Sequence, residues 1–209
     1  MKNLFALTLF AALFAASLPA RALTLSSPAF ANNGIIPNDY TYSLTGQCSG
    51  RNISPPLAIG DVPPGTQSFA LTVFDPDGGD FLHWKAWNIP GTAVTILANA
   101  SAIGGFSQAN NEFATPGYGG PCPPTPLHRY IFTLYALKTT FATEPTIAQL
   151  QGAAIQTTTL TGMRSPTDSI TTSVAVRTSD CLFNWAERTY PTLFTPAAAV
   201  SSPLAQYYF

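Results

Sequence analysis

The chain has 209 residues, with nine basic and ten acidic side chains. Only 9% of its residues are charged, against about 25% in an average protein, while 46% are hydrophobic. This composition excludes an intrinsically disordered chain, which is poor in apolar residues and rich in charge. It also argues against nucleic-acid binding, because the sequence has no Lys/Arg cluster that could displace counterions.

The first 22 residues have the three-part pattern of a secretory signal peptide. Lys2 gives a positive start, residues 4–16 form an apolar run, and residues 20–22 (Ala-Arg-Ala) provide a cleavage site. The run is shorter than the ~20 residues that span a bilayer. We therefore expect export to the periplasm or beyond, with a mature chain that starts at Leu23. Without Lys2 and Arg21, seven basic and ten acidic side chains remain, a net charge of −3. No later apolar stretch is long enough for a membrane anchor.

The rest of the sequence predicts one β-rich domain over residues 23–178 and a short tail over residues 179–209. Apolar and β-branched runs bounded by Pro, Gly or Asp predict strands at residues 40–44, 68–74, 83–89, 130–137 and 171–177. A Gly/Pro-rich segment between the third and fourth of these, residues 104–128, predicts a long loop, and loops of that length are often functional.

Two helical segments are also predicted. Thr143 is expected to cap a helix over about residues 144–151, with Pro145 in its first turn. The four threonines of residues 152–161 disfavour a longer helix, because β-branched side chains lose rotamer freedom there. In the tail, residues 181–187 carry a one-sided apolar pattern. We expect that helix to pack on the domain or on a second chain rather than to catalyse.

Both histidines of the chain follow a turn and lie where a predicted strand begins. His83 comes after the acidic turn Asp75-Pro76-Asp77-Gly78-Gly79-Asp80, and His128 comes after the Gly/Pro-rich residues 117–126. If the two strand ends are neighbours, they form a pocket from two imidazoles, a carboxylate and a phenol, those of His83, His128, Asp75 and Tyr130. The backbone N–H groups of Gly119 and Gly120 are expected to add anion-binding donors. A purely structural role for the turns and histidines stays open at this point.

Three motifs in these segments resemble a known family. They are Gly50-Arg51-Asn52-Ile53-Ser54-Pro55-Pro56; then Asp75-Pro76-Asp77 with His83-Trp84 and Asn88; then Gly120-Pro121-Cys122-Pro123-Pro124 with His128-Arg129-Tyr130. In order and spacing they resemble the phosphatidylethanolamine-binding protein family, in its bacterial Raf kinase inhibitor-like branch. The similarity covers residues 23–165. It implies a mainly β fold, a Greek-key β-sandwich with one or two short helices and a small anion pocket at one end.

The resemblance also implies the ligand set. In that family the pocket holds phosphate-like head groups, acetate or cacodylate, and neither a cofactor nor a metal is expected. The implied ligand-binding residues here are Asp75, Pro76, His83, Gly120, Pro121, Pro123, His128 and Tyr130. Asp77 and Arg129 are expected to pair beneath them. The sequence departs from the family pattern in two places: Gly78-Gly79 replaces the usual Ala-Pro, and Pro126 replaces a glycine.

The predicted function is therefore binding of a small anionic or phosphorylated ligand, at about millimolar to high micromolar affinity, or roughly 4–6 kcal/mol. A protein partner at the pocket rim, inhibited or modulated by this chain, stays open. A hydrolase or lyase is the main alternative, since two histidines and an aspartate are acid–base groups, but no activated nucleophile is evident. A metal site of two histidines and one carboxylate is a further alternative.

Three cysteines in an exported protein allow one disulfide. Cys48 precedes the first family motif and Cys122 lies in the predicted pocket loop. We expect these two to pair, which would close a loop of about 75 residues and stabilise the fold by ~4 kcal/mol in the chain-entropy model. Cys181 would then be unpaired or form an intermolecular bond.

Overall fold

A computed structural model describes residues 21–45, 47–124 and 126–166. The signal-peptide pattern before residue 21, the predicted strand at residues 171–177 and the tail from residue 179 lie outside the described residues. Within them, no helix is long and apolar enough to cross a membrane.

The described residues form short and long strands with few helices. The strands are β1 (Thr24–Ser26), β2 (Gly34–Ile35), β3 (Ser43–Leu44), β4 (Cys48–Ser49), β5 (Leu57–Gly60), β6 (Ser68–Asp75), β7 (Phe81–Pro90), β8 (Thr95–Ile96), β9 (Ser107–Gln108), β10 (His128–Leu137) and β11 (Ala154–Arg164). The α-helices are α1 (Ala100–Ile103) and α2 (Ile147–Ala153), and 3-10 turns cover Asn38–Tyr40 and Pro76–Gly78.

A six-stranded sheet, in the order β2-β11-β10-β6-β7-β9, forms the main layer. Its four long central strands, β11, β10, β6 and β7, are antiparallel to one another, and the short strand β2 pairs in parallel with β11. A three-stranded sheet, β1-β5-β8, covers one face, and residues of both sheets share one buried core, which includes Leu25, Ile59, Trp84 and Phe132. The predicted mainly β sandwich with two short helices is confirmed.

The central strand β6 is buried on both faces, which explains its nearly continuous apolar sequence. On one face Phe69, Leu71 and Val73 join the main core. On the other face Ala70 joins a second cluster, in which Leu150 of α2 is fully buried. Burying one large apolar side chain completely contributes about 1.5–3 kcal/mol, so both faces hold β6 in place.

The predicted helix at residues 144–151 is placed about three residues too early. The helix begins at Ile147, because Thr146 and Gln149 form a reciprocal capping box. In this box the Gln149 N–H donates to Thr146 Oγ1 over 3.2 Å, and the Thr146 N–H donates to Gln149 Oε1 over 2.8 Å. Glu144 instead accepts a 2.6 Å bond from Lys85 Nζ on β7. The threonine-rich segment that follows is the strand β11, which the sequence analysis did not predict.

The strand predicted at residues 40–44 is also largely wrong. The chain makes a 3-10 turn at Asn38–Tyr40, and only Ser43 and Leu44 are in a strand, paired with β4. Tyr42 donates its N–H to the Pro121 carbonyl over 2.9 Å. This segment therefore contacts the Gly/Pro-rich loop at Pro121 instead of joining the six-stranded sheet. Within its described residues, the long loop predicted at residues 104–128 is irregular apart from β9, an isolated bridge between Asn110 and Pro116, and His128, which begins β10.

Candidate ligand-binding site

The candidate site lies at one end of the six-stranded sheet, where the central strand β6 ends and its neighbours β7 and β10 begin. Because β6 is antiparallel to both β7 and β10, its C-terminal end lies near the start of each: Asp75 pairs with Phe81, and Phe74 pairs with Ile131. Asp75 ends β6, His128 begins β10, and His83 is the third residue of β7. A pocket of about 320 Å³ opens at this end of the sheet. It is lined by Asp75, Asp77, Gly78, Phe81, His83, Phe113, Cys122, Pro123, Pro124, His128 and Tyr130.

The Asp75 carboxylate organises the strand side of the pocket, and its residue is only 4% exposed. Its Oδ1 accepts the N–H groups of Asp77 and Gly78, over 3.0 and 2.8 Å. Its Oδ2 lies 2.7 Å from His128 Nδ1. Because an ionised carboxylate only accepts hydrogen bonds, this contact assigns the His128 proton to Nδ1. The carboxylate therefore fixes both the turn and the imidazole.

Tyr130 lies beside this carboxylate and is almost completely buried. Burial raises the pKa of its phenol, and the negative charge of Asp75 and a hydrogen bond to Asp75 raise it further. The phenol therefore stays protonated and can donate a hydrogen bond at neutral pH.

The second imidazole, that of His83, is held by the backbone and by aromatic rings. Its Nδ1 lies 2.6 Å from the Gly119 carbonyl oxygen, which only accepts, so Nδ1 carries the proton and Nε2 is an acceptor in the neutral ring. Burial lowers the pKa of His83, even though the Gly119 carbonyl and the charges of Asp75 and Glu112 act in the opposite direction. The ring contacts Tyr130 at 5.0 Å and Phe81 at 4.9 Å between centroids.

Two phenylalanines in the pocket wall were missed by the sequence analysis. Phe81 begins β7, and Phe113 lies in the irregular segment. Their ring centroids are 4.8 Å apart, and Phe113 also stacks on Tyr42 at 4.2 Å with an interplanar angle of 12°. A Cβ atom on Gly119 would lie 2.6 Å from the Phe113 ring, so the glycine makes room for this ring. No local pattern around Phe113 indicates this position.

Asp77 and Arg129 pair as expected, in a bidentate arrangement. Arg129 Nε lies 2.9 Å from Asp77 Oδ2 and Nη2 lies 2.7 Å from Oδ1, while the Arg129 N–H also donates to Oδ2. These bonds lower the pKa of Asp77 to about 2. Asp77 is itself part of the pocket wall rather than beneath it, and its charge is balanced by the guanidinium.

The predicted rim residues divide into two groups. Pro123 lines the pocket, together with its neighbours Cys122 and Pro124. Pro76, Gly120 and Pro121 are not among the residues that line this pocket, and their role in ligand binding stays a prediction. Gly120 and Pro121 are buried. Gly120 packs closely on the 3-10 turn at Asn38–Tyr40, where an added Cβ would lie 2.5 Å from the Tyr40 carbonyl oxygen. Pro76 opens the 3-10 turn that Asp75 caps.

The backbone donors predicted at Gly119 and Gly120 are already used inside the protein. The Gly119 N–H donates to the His83 carbonyl over 2.8 Å, and the Gly120 N–H donates to Asn52 Oδ1 over 2.7 Å. Since buried N–H groups must be paired, both groups are used by these hydrogen bonds and are not available to an anion. Asn52, from the first family motif, adopts a positive φ of 53° to reach Gly120. The expectation of an anion-binding backbone here is wrong.

A disulfide fastens the same loop. Cys48 on β4 and Cys122 in the pocket wall are bonded, with their Cα atoms 5.8 Å apart, which is the pairing expected from the sequence. The described residues contain no cluster of three or more His, Cys, Asp and Glu side chains arranged to hold a metal ion.

Comparisons with known proteins agree with this architecture. The family model described as phosphatidylethanolamine-binding protein matches residues 26–165. The chain is 41% identical over 129 residues to a UPF0098 protein of Methanothermobacter thermautotrophicus, covering 59% of this chain and 82% of that one. It is 41% identical over 136 residues to a UPF0098 protein of Chlamydia pneumoniae, covering 62% and 85%.

Two solved structures are similar as well. One is YbcL of Escherichia coli, described as a member of the mammalian PEBP family, with a TM-score of 0.62, 31% identity, and coverage of 69% of this chain and 99% of that one. The other is a PEBP homologue from Chlamydia trachomatis, with a TM-score of 0.60, 34% identity, and coverage of 69% and 97%. The chain therefore belongs to the phosphatidylethanolamine-binding protein family.

Proposed function

We propose that this chain binds a small anionic or phosphorylated ligand in the pocket at the ends of β6, β7 and β10. The observation that carries the proposal is the Asp75 carboxylate, which fixes His128 and Tyr130 within one concave site that His83 also lines. Buried titratable groups that converge on a pocket are the usual mark of a functional site. The family name, which refers to a phosphorylated head group, agrees with this chemistry.

The two imidazoles interact with an anion in different ways. His128 is held through Nδ1 by the Asp75 carboxylate, whereas burial lowers the pKa of His83 and keeps that ring neutral at pH 7. Neutral His83 presents an acceptor at Nε2, so it pairs with a protonated ligand oxygen, or it must take up a proton to pair with an ionised one. Binding of a fully ionised anion is therefore coupled to proton uptake by His83.

The expected affinity is modest. Among the described residues no Lys or Arg side chain lines the pocket, and the charge of Asp77 is balanced by Arg129. The attraction for an anion therefore comes from imidazolium charge and from hydrogen bonds. We expect millimolar to high micromolar dissociation constants, or roughly 4–6 kcal/mol.

We also propose that the protein is exported. The signal-peptide pattern at the start of the chain supports this proposal. The disulfide between Cys48 and Cys122 supports it independently, because such bonds persist in oxidising compartments outside the cytosol.

The binding proposal is tested by calorimetric titration of the mature protein with phosphate, phosphoethanolamine and acetate. We expect His83→Gln and His128→Gln each to weaken phosphate binding at least tenfold. Lys138→Gln is the matched control, since it removes an exposed positive charge just beyond the opposite end of β10. Equal affinities in all three variants, or no binding of any of these anions to the unaltered protein, would overturn the proposal.

A further inference from the structure

We infer that the natural ligand carries an apolar group beside its anion, and that Phe113 and Phe81 form the subsite for this group. The inference rests on the proposed function, because it assigns the other half of the same pocket. It identifies Phe113, in the irregular segment between β9 and β10, as a specificity-determining residue.

The size of the pocket indicates a ligand larger than a simple anion. Phosphate has five heavy atoms and displaces roughly two to three waters, each with about 30 Å³ of liquid volume. The pocket measures about 320 Å³, which reaches the lower limit for sites that hold drug-sized organic molecules, ~300 Å³. An inorganic anion at the histidines therefore leaves most of the pocket unfilled.

The remaining wall is apolar. Beyond the polar groups of the strand ends, the lining consists of Phe81, Phe113, Cys122, Pro123 and Pro124 with the turn residue Gly78. Both phenylalanine side chains are only partly buried. Burying such a surface under an apolar ligand group is favourable in proportion to the area removed from water.

The Phe113 ring is fixed before any ligand arrives. Tyr42 stacks on it at 4.2 Å, and the Phe113 N–H donates to Asn111 Oδ1 over 2.9 Å. Asn111 is itself only 4% exposed and donates from Nδ2 to the Gly117 carbonyl. A ring held by these contacts loses little conformational entropy on binding, which favours its use as a recognition surface.

The carboxylates of the wall do not favour a cationic group at this place. Both oxygens of Asp77 accept hydrogen bonds from Arg129. Asp75 is engaged by two backbone N–H groups, by His128 and by Tyr130. Recruiting either carboxylate to a ligand ammonium would cost these existing bonds. An apolar extension requires no such exchange.

The test is a calorimetric series with inorganic phosphate, methyl phosphate, propyl phosphate, phenyl phosphate and phosphoethanolamine. We expect propyl or phenyl phosphate to bind at least tenfold more tightly than methyl phosphate, and phosphoethanolamine to bind no more tightly than methyl phosphate. A larger gain for phenyl than for propyl would assign the effect to ring stacking, and equal gains would assign it to buried area. Either pattern supports the subsite.

Phe113→Ala is expected to remove this gain, so that in the variant propyl and phenyl phosphate bind no more tightly than methyl phosphate. Phe113→Leu should keep the propyl gain and lose any extra gain for phenyl. Phe141→Leu is the matched control, because Phe141 does not line the pocket and packs on the second cluster, which contains Ala70 and Leu150. If Phe113→Ala does not fold, nuclear Overhauser contacts between propyl protons and the Phe113 ring in the unaltered protein replace it.

The outcomes separate the two proposals. If inorganic phosphate binds but propyl and phenyl phosphate bind no more tightly than methyl phosphate, the apolar subsite is wrong and the anion site stands. If the gain persists in Phe113→Ala, or contacts to Phe113 are absent, the assignment to Phe113 is wrong. If neither phosphate nor any ester binds, the proposed anion-binding function itself is wrong.

Discussion

Two walls face each other across the pocket, and they are held by different kinds of contact. The strand wall (Asp75, His83, His128, Tyr130) belongs to long antiparallel strands that pair with one another along most of their length, with register shifts only between β6 and β7. The loop wall (residues 113–124) is irregular over most of its length and depends on separate tertiary contacts. These contacts include the Cys48–Cys122 disulfide, the Asn52–Gly120 hydrogen bond and the Tyr42–Phe113 stack, besides backbone hydrogen bonds such as that from the Gly119 N–H to the His83 carbonyl.

This difference predicts how each wall responds to change. Many cooperative contacts hold the strand wall, so one substitution there should alter chemistry more than position. The loop wall is held by separate contacts instead of a strand ladder, so the loss of one should let the loop open locally at a smaller cost in free energy than global unfolding. Substitutions in the strand wall are thus expected to change protonation and hydrogen bonding in the pocket, and substitutions in the loop wall are expected to change the shape of the pocket.

The largest expected effect comes from removing the disulfide. Cys48 and Cys122 are 74 residues apart in sequence. We expect Cys48→Ser combined with Cys122→Ser to lower the free energy of unfolding by about 4 kcal/mol in the chain-entropy model, measured by urea denaturation. Cys181→Ser is the control and should unfold like the unaltered protein. A double variant as stable as the control would contradict the role given to this bond.

A smaller effect is expected from Gly119→Ala. The added Cβ would lie 2.6 Å from the Phe113 ring and 3.0 Å from Asn111 Nδ2. Overpacking of this kind costs about 1–3 kcal/mol, and the displaced ring should also weaken binding of phenyl phosphate. Gly152→Ala is the matched control, because an added Cβ there meets nothing within 4 Å. In α2 it should stabilise by roughly 0.5–1 kcal/mol, so equal unfolding curves would refute the close contact.

The pH dependence of stability should report on His83. Burial lowers its pKa in the folded protein below the unfolded value of 6.5. The stability from keeping this ring neutral is therefore fully present above pH 6.5, and it is lost as the pH falls through the folded pKa. One proton contributes at most a slope of about 1.4 kcal/mol per pH unit. His83→Gln should flatten this part of the profile, and an unchanged slope in the variant would exclude a buried neutral His83.

The smallest effect is expected from the exposed pair of Asp77 and Arg129. Its bidentate bonds lower the pKa of Asp77 from 3.8 to about 2. The contribution is therefore present above pH 3.8 and is lost between pH 3.8 and 2. Because the pair is exposed to solvent, salt should screen most of it. We expect Asp77→Asn to lower the melting temperature slightly at pH 7 in low salt and hardly at all in 1 M salt, and a large, salt-independent decrease would contradict this account.

The strand wall could be predicted from the sequence, and most of the loop wall could not. Runs such as residues 68–74 and 130–137 are apolar and β-branched and end at clear turn residues. The family motifs then indicated the pocket groups Asp75, His83, His128 and Tyr130. Phe113 and the pairing of the Gly120 N–H depend on contacts with residues about 70 positions away. No local pattern carries that information.

Two errors concern local signals rather than distant contacts. A Thr-x-x-Gln capping box begins at Thr146, whereas Thr143 has no Glu or Gln three residues later. The box therefore identifies Thr146, and not Thr143, as the residue that caps the helix. The threonines at 157–159 disfavour a helix and equally favour a strand, and they form part of β11, paired with β10.

The most direct test of the central claim is the NMR titration of the two imidazoles, because the chain contains only two histidines. Sulfate is a suitable anion, since it does not titrate near neutral pH. We predict that His83 is the Nδ1–H tautomer with a pKa below 6.5, and that saturating sulfate raises this pKa and shifts both histidines with the same dissociation constant. If sulfate and phosphate move neither histidine, or if the two respond with different constants, the two imidazoles do not share one anion site.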